Sequence, residues 1–175
     1  MGDPEVSRRG FVARIARAAG VAAPALALLE GRVRALPRGE ETDLAVLYAS
    51  LTLEHHAIAL YETGLRRGLL PSGLRVHAVE FRGDHQGHRD TQIAIAEERG
   101  GTPPSPLSHY DFGPLPPGDG FVREALEIEV AAQKAYTALI SQIRTRDYLL
   151  SAAFILVDEV RHMTVWRRVL GLRVY

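Results

Sequence analysis

The stretch Asp158-Glu159-Val160-Arg161-His162 sets a carboxylate and an imidazole three residues apart inside an apolar helical pattern. Residues at that spacing share one helix face, and the neighbouring apolar positions Ile155, Trp166 and Val169 fall on the same face. Glu159 and His162 therefore stand on the stripe that should meet a core. Burying two such groups is costly unless something compensates them. A carboxylate oxygen and a ring nitrogen projecting inward from one bundle helix can do so by binding the same cation.

The chain repeats itself around this point. Leu53-Glu54, followed by Tyr61, recurs as Ile128-Glu129, followed by Tyr136, and Asp84-His85-x-x-His88 recurs as Asp158-Glu159-x-x-His162. The offsets are 75 and 74 residues. Two copies of a helix pair, each with inward polar residues at matching positions, form a far more specific pattern than either motif alone.

With 175 residues, 46% of them hydrophobic, and a formal net charge of zero, the chain has the size and composition of one globular domain, and no nucleic-acid partner follows from its charge. Cysteine is absent, which excludes disulfides, thiolate metal sites and a cysteine nucleophile, while seven histidines and many carboxylates remain. A metal bound here would be iron, manganese or zinc on nitrogen and oxygen donors.

Residues 1–35 read as separate from the domain at 36–175. Ser7-Arg8-Arg9-Gly10-Phe11-Val12 precedes a short alanine-rich run from Val21 to Leu29, and Val33-Arg34-Ala35 fits a small-residue cleavage site. The segment resembles a bacterial twin-arginine export signal, which implies the twin-arginine translocase as a partner and a periplasmic or extracellular destination. An ordinary basic amphipathic helix is the alternative. Cleavage after Ala35 would remove six arginines and three acids and move the formal charge from zero to minus three.

The remaining periodicity predicts four helices. The first runs from a cap at Thr42 or Asp43 to about Arg67, with Leu47, Leu51, Glu54, Ile58, Tyr61 and Leu65 on its core stripe. The second runs from about Leu74 to Arg99 with Phe81, His85, His88, Gln92 and Ile95 inward, and it carries Gly83 and Gly87, which suggest close helix approach or room around His85. The third runs from about Asp119 to Arg144 with Val122, Leu126, Glu129, Gln133, Tyr136 and Ile140 inward. The fourth follows a break at Thr145 to Asp147 and ends near Leu170. Short links make each pair antiparallel. Between the pairs, Thr102 to Gly118 is rich in proline and glycine and has no periodicity. Some 17 extended residues reach about 55 Å, more than the roughly 37 Å of a 25-residue helix, so this segment can cross from one end of a bundle to the other. The expected fold is all-α: a four-helix bundle of two antiparallel hairpins joined by a long crossover, the ferritin-like topology.

Counting from the helix ends places Glu54, His85, Glu129 and Glu159 at one height. The set Glu54, His85, His88, Glu129, Glu159 and His162 is similar to the metal sites of the ferritin-like di-iron and di-manganese family of ferritins, rubrerythrins and manganese catalases. That resemblance covers nearly all of the chain beyond residue 35. It implies Glu54 and Glu129 as terminal carboxylates, Glu159 as a bridging one, and His88 and His162 as one nitrogen ligand per metal. It further implies two iron ions per chain, or manganese, and a small oxidant as the partner. Asp158 and Arg161 complete a D-E-x-R-H pattern similar to that of oxygen-activating members, a resemblance that implies Asp158 as the residue orienting a ligand histidine, and Asp84 stands at the matching place. Tyr61 and Tyr136 would pack with their hydroxyls near the site. His55, His56, His77 and His109 read as surface residues.

His85 departs from the family, whose residue there is a bridging Glu. Three outcomes stay open: a modified dinuclear site with His85 terminal, a single-metal site, or a bundle without metal. The functions that follow are a di-metal oxidoreductase acting with oxygen or peroxide, a non-enzymatic metal-binding or storage protein, and a metal-free interaction domain. No catalytic residue is assigned beyond the ligands, and a homo-oligomer is compatible with all three.

Overall fold

A computed structural model describes residues 40–174; the export segment expected over 1–35 lies outside the described residues. Four helices follow in order: α1 (Glu40–Arg66), α2 (Ser72–Glu98), α3 (Asp119–Ile140) and α4 (Arg146–Val169). Among the described residues there is no strand, and no helix is long and apolar enough to cross a membrane.

Each helix packs on two others: α1 on α2 and α3, and α4 on the same two. Side-chain pairs fix the directions. Ser50 and Glu54 of α1 meet Gln92 and His85 of α2, while Tyr61 and Glu54 meet Glu129 and Tyr136 of α3. Asp84 and His88 of α2 meet His162 and Asp158 of α4. In each pairing one number rises as the other falls, so neighbouring helices are antiparallel. The two apolar layers of the core lie at the two ends of the bundle. Leu47, Ile95, Leu139, Tyr148 and Ile155 fill one, and Leu60, Phe81, Phe121, Val122 and Trp166 fill the other. Side chains of this size contribute about 1.5–3 kcal/mol each when fully buried.

Several boundaries differ from the sequence expectation, each for a local reason. α2 starts at Ser72 because Pro71, with φ −53°, is already set for the entry. α3 stops at Ile140, a turn before Arg144. The buried carboxylate of Asp43 accepts the Arg144 N–H at 3.1 Å, the Thr145 N–H at 2.8 Å and the Thr145 hydroxyl at 2.7 Å, drawing those groups out of a helical ladder. Asp43 thus anchors the α3–α4 turn from within α1 rather than capping its own helix. On α3, Gln133 turns partly outward to Thr137, and Ala132 and Leu139 are the fully buried neighbours.

The two glycines beside His85 are also not where helices meet. A Cβ on Gly83 or Gly87 would enter open space, and both are exposed. The close approach occurs at Gly64 of α1, where a Cβ would lie against the ring of Phe121 on α3.

The crossover, residues 99–118, follows α1 along its length. Gly101 sits against Tyr48 and Leu44 near one end of α1, and Gly118 N–H donates to Leu69 O at 2.7 Å beyond the other. His55 and His56 hold it down. His55 Nε2 bonds the Pro104 carbonyl at 3.1 Å, and the His56 ring meets Tyr110 and Phe112 edge-on at 5.5 and 5.0 Å. Both histidines are buried, so the surface reading of this pair is corrected: the covering chain has no helical period and left no mark on the pattern of α1. His77 is half-buried and stacks on Phe81, whereas His109 is exposed.

Candidate metal centre

Between the apolar layers, the six residues Glu54, His85, His88, Glu129, Glu159 and His162 converge, all of them buried. They form two overlapping quartets, Glu54-His85-His88-Glu159 and His85-Glu129-Glu159-His162, in each of which one ligand atom per residue lies within 4.8 Å of the others. His85 and Glu159 belong to both. Glu54 and Glu129 lie on α1 and α3, and the other four on α2 and α4, so each quartet takes three residues from one hairpin and the fourth from the other.

Hydrogen bonds cross between the hairpins in the same way. Tyr61 donates to Glu129, and Tyr136 donates to Glu54 at 2.5 Å. Asp158 faces Nε2 of His88 at 3.3 Å, and Asp84 faces Nε2 of His162 at 3.0 Å. The other ring nitrogens point inward: His162 Nδ1 lies 3.3 Å from Glu129, and His88 Nδ1 lies 3.6 Å from Glu54 and 3.7 Å from Glu159. Arg161 stays near the surface and pairs with Glu80 at 2.7 Å, Asp84 at 2.5 Å and Asp158 at 3.5 Å, which ties both aspartates in place.

His85 occupies the middle. Its Nδ1 is 2.7 Å from Glu54 and its Nε2 is 3.4 Å from Glu129, so one ring spans both outer carboxylates. Burial disfavours a charged ring, but the ionised Glu129 and Glu54 on its two sides outweigh it and hold His85 protonated well above the ordinary histidine range. Burial likewise opposes ionisation of Glu54, and the His85 ring bonded to it, with the His88 ring 3.6 Å away, overcomes it, taking that carboxyl down to about 2. Glu129 is drawn well below the usual range against burial by the charges of His85 and His162. Glu159 goes the other way: burial and the neighbouring Glu129 and Glu54 carboxylates push it well up, despite the charge of His85.

Two longer relays reach outward, and neither was expected. Trp166 Nε1–H donates to the Tyr61 hydroxyl at 2.8 Å. On the other side Gln92 Nε2–H donates to Tyr136 at 2.5 Å, and Ser50 bonds both Gln92 and Tyr148 at 3.0 and 2.8 Å. Ser50 lies one turn before Glu54, the signal that would have found it; Tyr148 is 98 residues away and gave none.

The donor set fits a cation. Both oxygens of Glu159 and Nδ1 of His88 are buried without a hydrogen-bond partner. A carboxylate so placed costs several kcal/mol unless it is protonated or faces positive charge. Three carboxylates with three imidazoles are the hard-to-borderline N/O donors suited to iron, manganese or zinc.

The family model described as "Ferritin-like domain" matches residues 42–172, and the chain belongs to that family. Among solved structures the chain is similar to the crystal structure of a conserved hypothetical protein, rv2844, from Mycobacterium tuberculosis. The two share 27% identity over 75% of this chain and 92% of that one, with a TM-score of 0.69. No curated protein matches the chain.

Proposed function

We propose that the polar layer is a metal centre and that the protein binds one or two iron or manganese ions per chain for redox chemistry with oxygen or peroxide. The observation that carries this reading is Glu159, which belongs to both quartets and whose two oxygens are buried without a hydrogen-bond partner. Glu54, His88 and Glu159 would hold one ion, and Glu129, His162 and Glu159 a second, with His85 adding a nitrogen to either. An ion of this kind supplies electrons one at a time to a small oxidant. The protein's own share is to keep bulk water out, to hold protons on Tyr61 and Tyr136 beside the two outer carboxylates, and to fix the His88 and His162 rings through Asp158 and Asp84.

Metal analysis of protein purified without chelator, set beside His88→Ala plus His162→Ala, tests this. Close to two ions per chain, lost in the double variant, supports a dinuclear centre. Close to one supports a single site with His85 filling the second.

A second reading, a metal-free bundle, draws on the His85 ring itself. A protonated imidazole between Glu54 and Glu129 neutralises part of the layer without a cation. Folded protein that purifies without metal and whose melting ignores added iron, manganese and chelator decides for it.

We further propose that the chain is exported, on the strength of Ser7-Arg8-Arg9 and the alanine-rich run that follows. Retention of the Arg8→Lys plus Arg9→Lys variant inside cells that export the parent chain tests that step.

A further inference from the structure

Beyond the metal centre, a cleft of about 610 Å³ opens between the outer face of α1 and the crossover. None of the six clustered residues lines it. The size falls within the range of small-molecule sites.

Its walls divide by chemistry. Ile58 and Ala59 of α1 form an apolar floor, covered by Leu107, Tyr110 and Phe112 of the crossover. That cover is held in place by its own contacts: Tyr110 and Phe112 stack at 6.2 Å, and the Tyr110 hydroxyl accepts the Leu107 N–H at 3.0 Å. Arg66 and Arg67 stand at one end. Arg67 has no side-chain ion pair or hydrogen bond among the described residues, and Arg66 has only a 3.4 Å contact to Thr63. Arg89 of α2, which also lines the cleft, is neutralised by Asp90 at 2.8 Å. The lining also includes two acids. Asp111 is engaged by the Gly113 N–H at 2.8 Å, and Glu62 is exposed in the lining one turn before Arg66. The Arg66–Arg67 end therefore sets two guanidiniums against one carboxylate, Glu62, and keeps a surplus of positive charge beside an apolar trough.

We propose that this cleft binds a small organic anion, its phosphate or carboxylate head at Arg66 and Arg67 and its apolar body along Ile58 and Ala59 beneath the crossover. A charged head on paired guanidiniums and a flat body between aliphatic and aromatic walls use both halves of the lining. The inference does not rest on the metal reading.

Amide NMR titrations of the full chain test it, using phenyl phosphate and benzoate as probes and benzyl alcohol and inorganic phosphate as controls. Saturable shifts confined to residues 58–67 and 107–113, from phenyl phosphate or benzoate or both, are expected, and the stronger probe names the head group. Arg66→Ala plus Arg67→Ala, both exposed, should weaken that probe about tenfold. Leu107→Ser should weaken it while leaving inorganic phosphate unchanged. Repeating the titration on chelator-treated protein should give the same result, which separates this site from the metal centre. Benzyl alcohol binding as tightly as the anions, inorganic phosphate binding as tightly as phenyl phosphate, or no saturable shift at these residues would overturn the proposal.

Discussion

Tyr136 on α3 gives its hydroxyl hydrogen to Glu54 on α1 across 2.5 Å, and the same oxygen takes the Gln92 amide hydrogen. Tyr136→Phe removes both bonds and leaves a buried carboxylate oxygen and a buried amide without partners. Loss of about 1–3 kcal/mol for each such group predicts a drop of several kcal/mol in urea unfolding of metal-free protein. Adding Gln92→Leu should recover part of it, since the orphaned amide is then gone. Tyr136→Phe as stable as the parent would mean that the network carries no such burden.

Asp158 and Asp84 each accept from a histidine on the other hairpin. Asp158→Ala frees the His88 ring to turn and lowers its basicity, and Asp84→Ala frees the His162 ring to turn. Each change is expected to weaken manganese binding by about 10–100-fold, read by competition with a chelator of known affinity. Unchanged affinity in both variants would remove the aspartates from the site.

Metal uptake should release protons. Without metal, Glu159 is held protonated by burial and by Glu129 and Glu54, His85 is kept charged by the ionised Glu129 and Glu54 despite burial, and His88 is raised by Glu54 despite burial. Each must lose its proton to become a ligand. Affinity therefore rises with pH, and titration calorimetry of manganese in buffers of different ionisation enthalpy should give a positive proton release at pH 7. Binding that tightens on acidification contradicts the assignment.

His56 gives stability a pH dependence of its own. Burial under the crossover lowers it to about 4, whereas in the unfolded chain it takes a proton near 6.5. Between those values the unfolded chain binds the extra proton, so folding weakens as pH falls through that window. The expected loss from this residue is roughly 2 kcal/mol between pH 7 and pH 5, and His56→Phe, which keeps a ring against Tyr110 and Phe112, should abolish that part. Parallel denaturation curves for the two proteins at both pH values would refute it.

The glycines should respond in opposite directions. Gly64→Ala forces a methyl against Phe121 and is expected to destabilise by about 1–3 kcal/mol. Gly83→Ala and Gly87→Ala meet open space on a helix and should each stabilise by up to about 1 kcal/mol. Thermal melts of the three variants decide the matter.

The bundle could be read from the chain because its signals are periodic: Leu47, Leu51 and Ile58 against Phe81 and Ile95, and again Val122 and Leu126 against Ile155 and Trp166. The polar layer could be read because Glu54, His85, Glu129 and Glu159 break those stripes at one height. What could not be read depends on partners without a fixed spacing. Asp43 reaches a turn 101 residues away, His55 and His56 are covered by a segment with no repeat, and Ser50 finds Tyr148 across 98 positions. A mid-helix glycine signals only a missing side chain, so nothing in the chain tells Gly64, which meets Phe121, from Gly83 and Gly87, which face open space.

The exchange between hairpins also bears on assembly from fragments. Residues 40–98 carry one carboxylate and two imidazoles of the centre, yet the groups that steady them, Tyr136 and Asp158, reside in 119–174, and Tyr61 and Asp84 do the same in return for Glu129 and His162. Neither half alone can present its ring nitrogens and carboxylates in register. Two peptides cut within the crossover should therefore recombine as a complementing pair, with cation capture reporting their reunion.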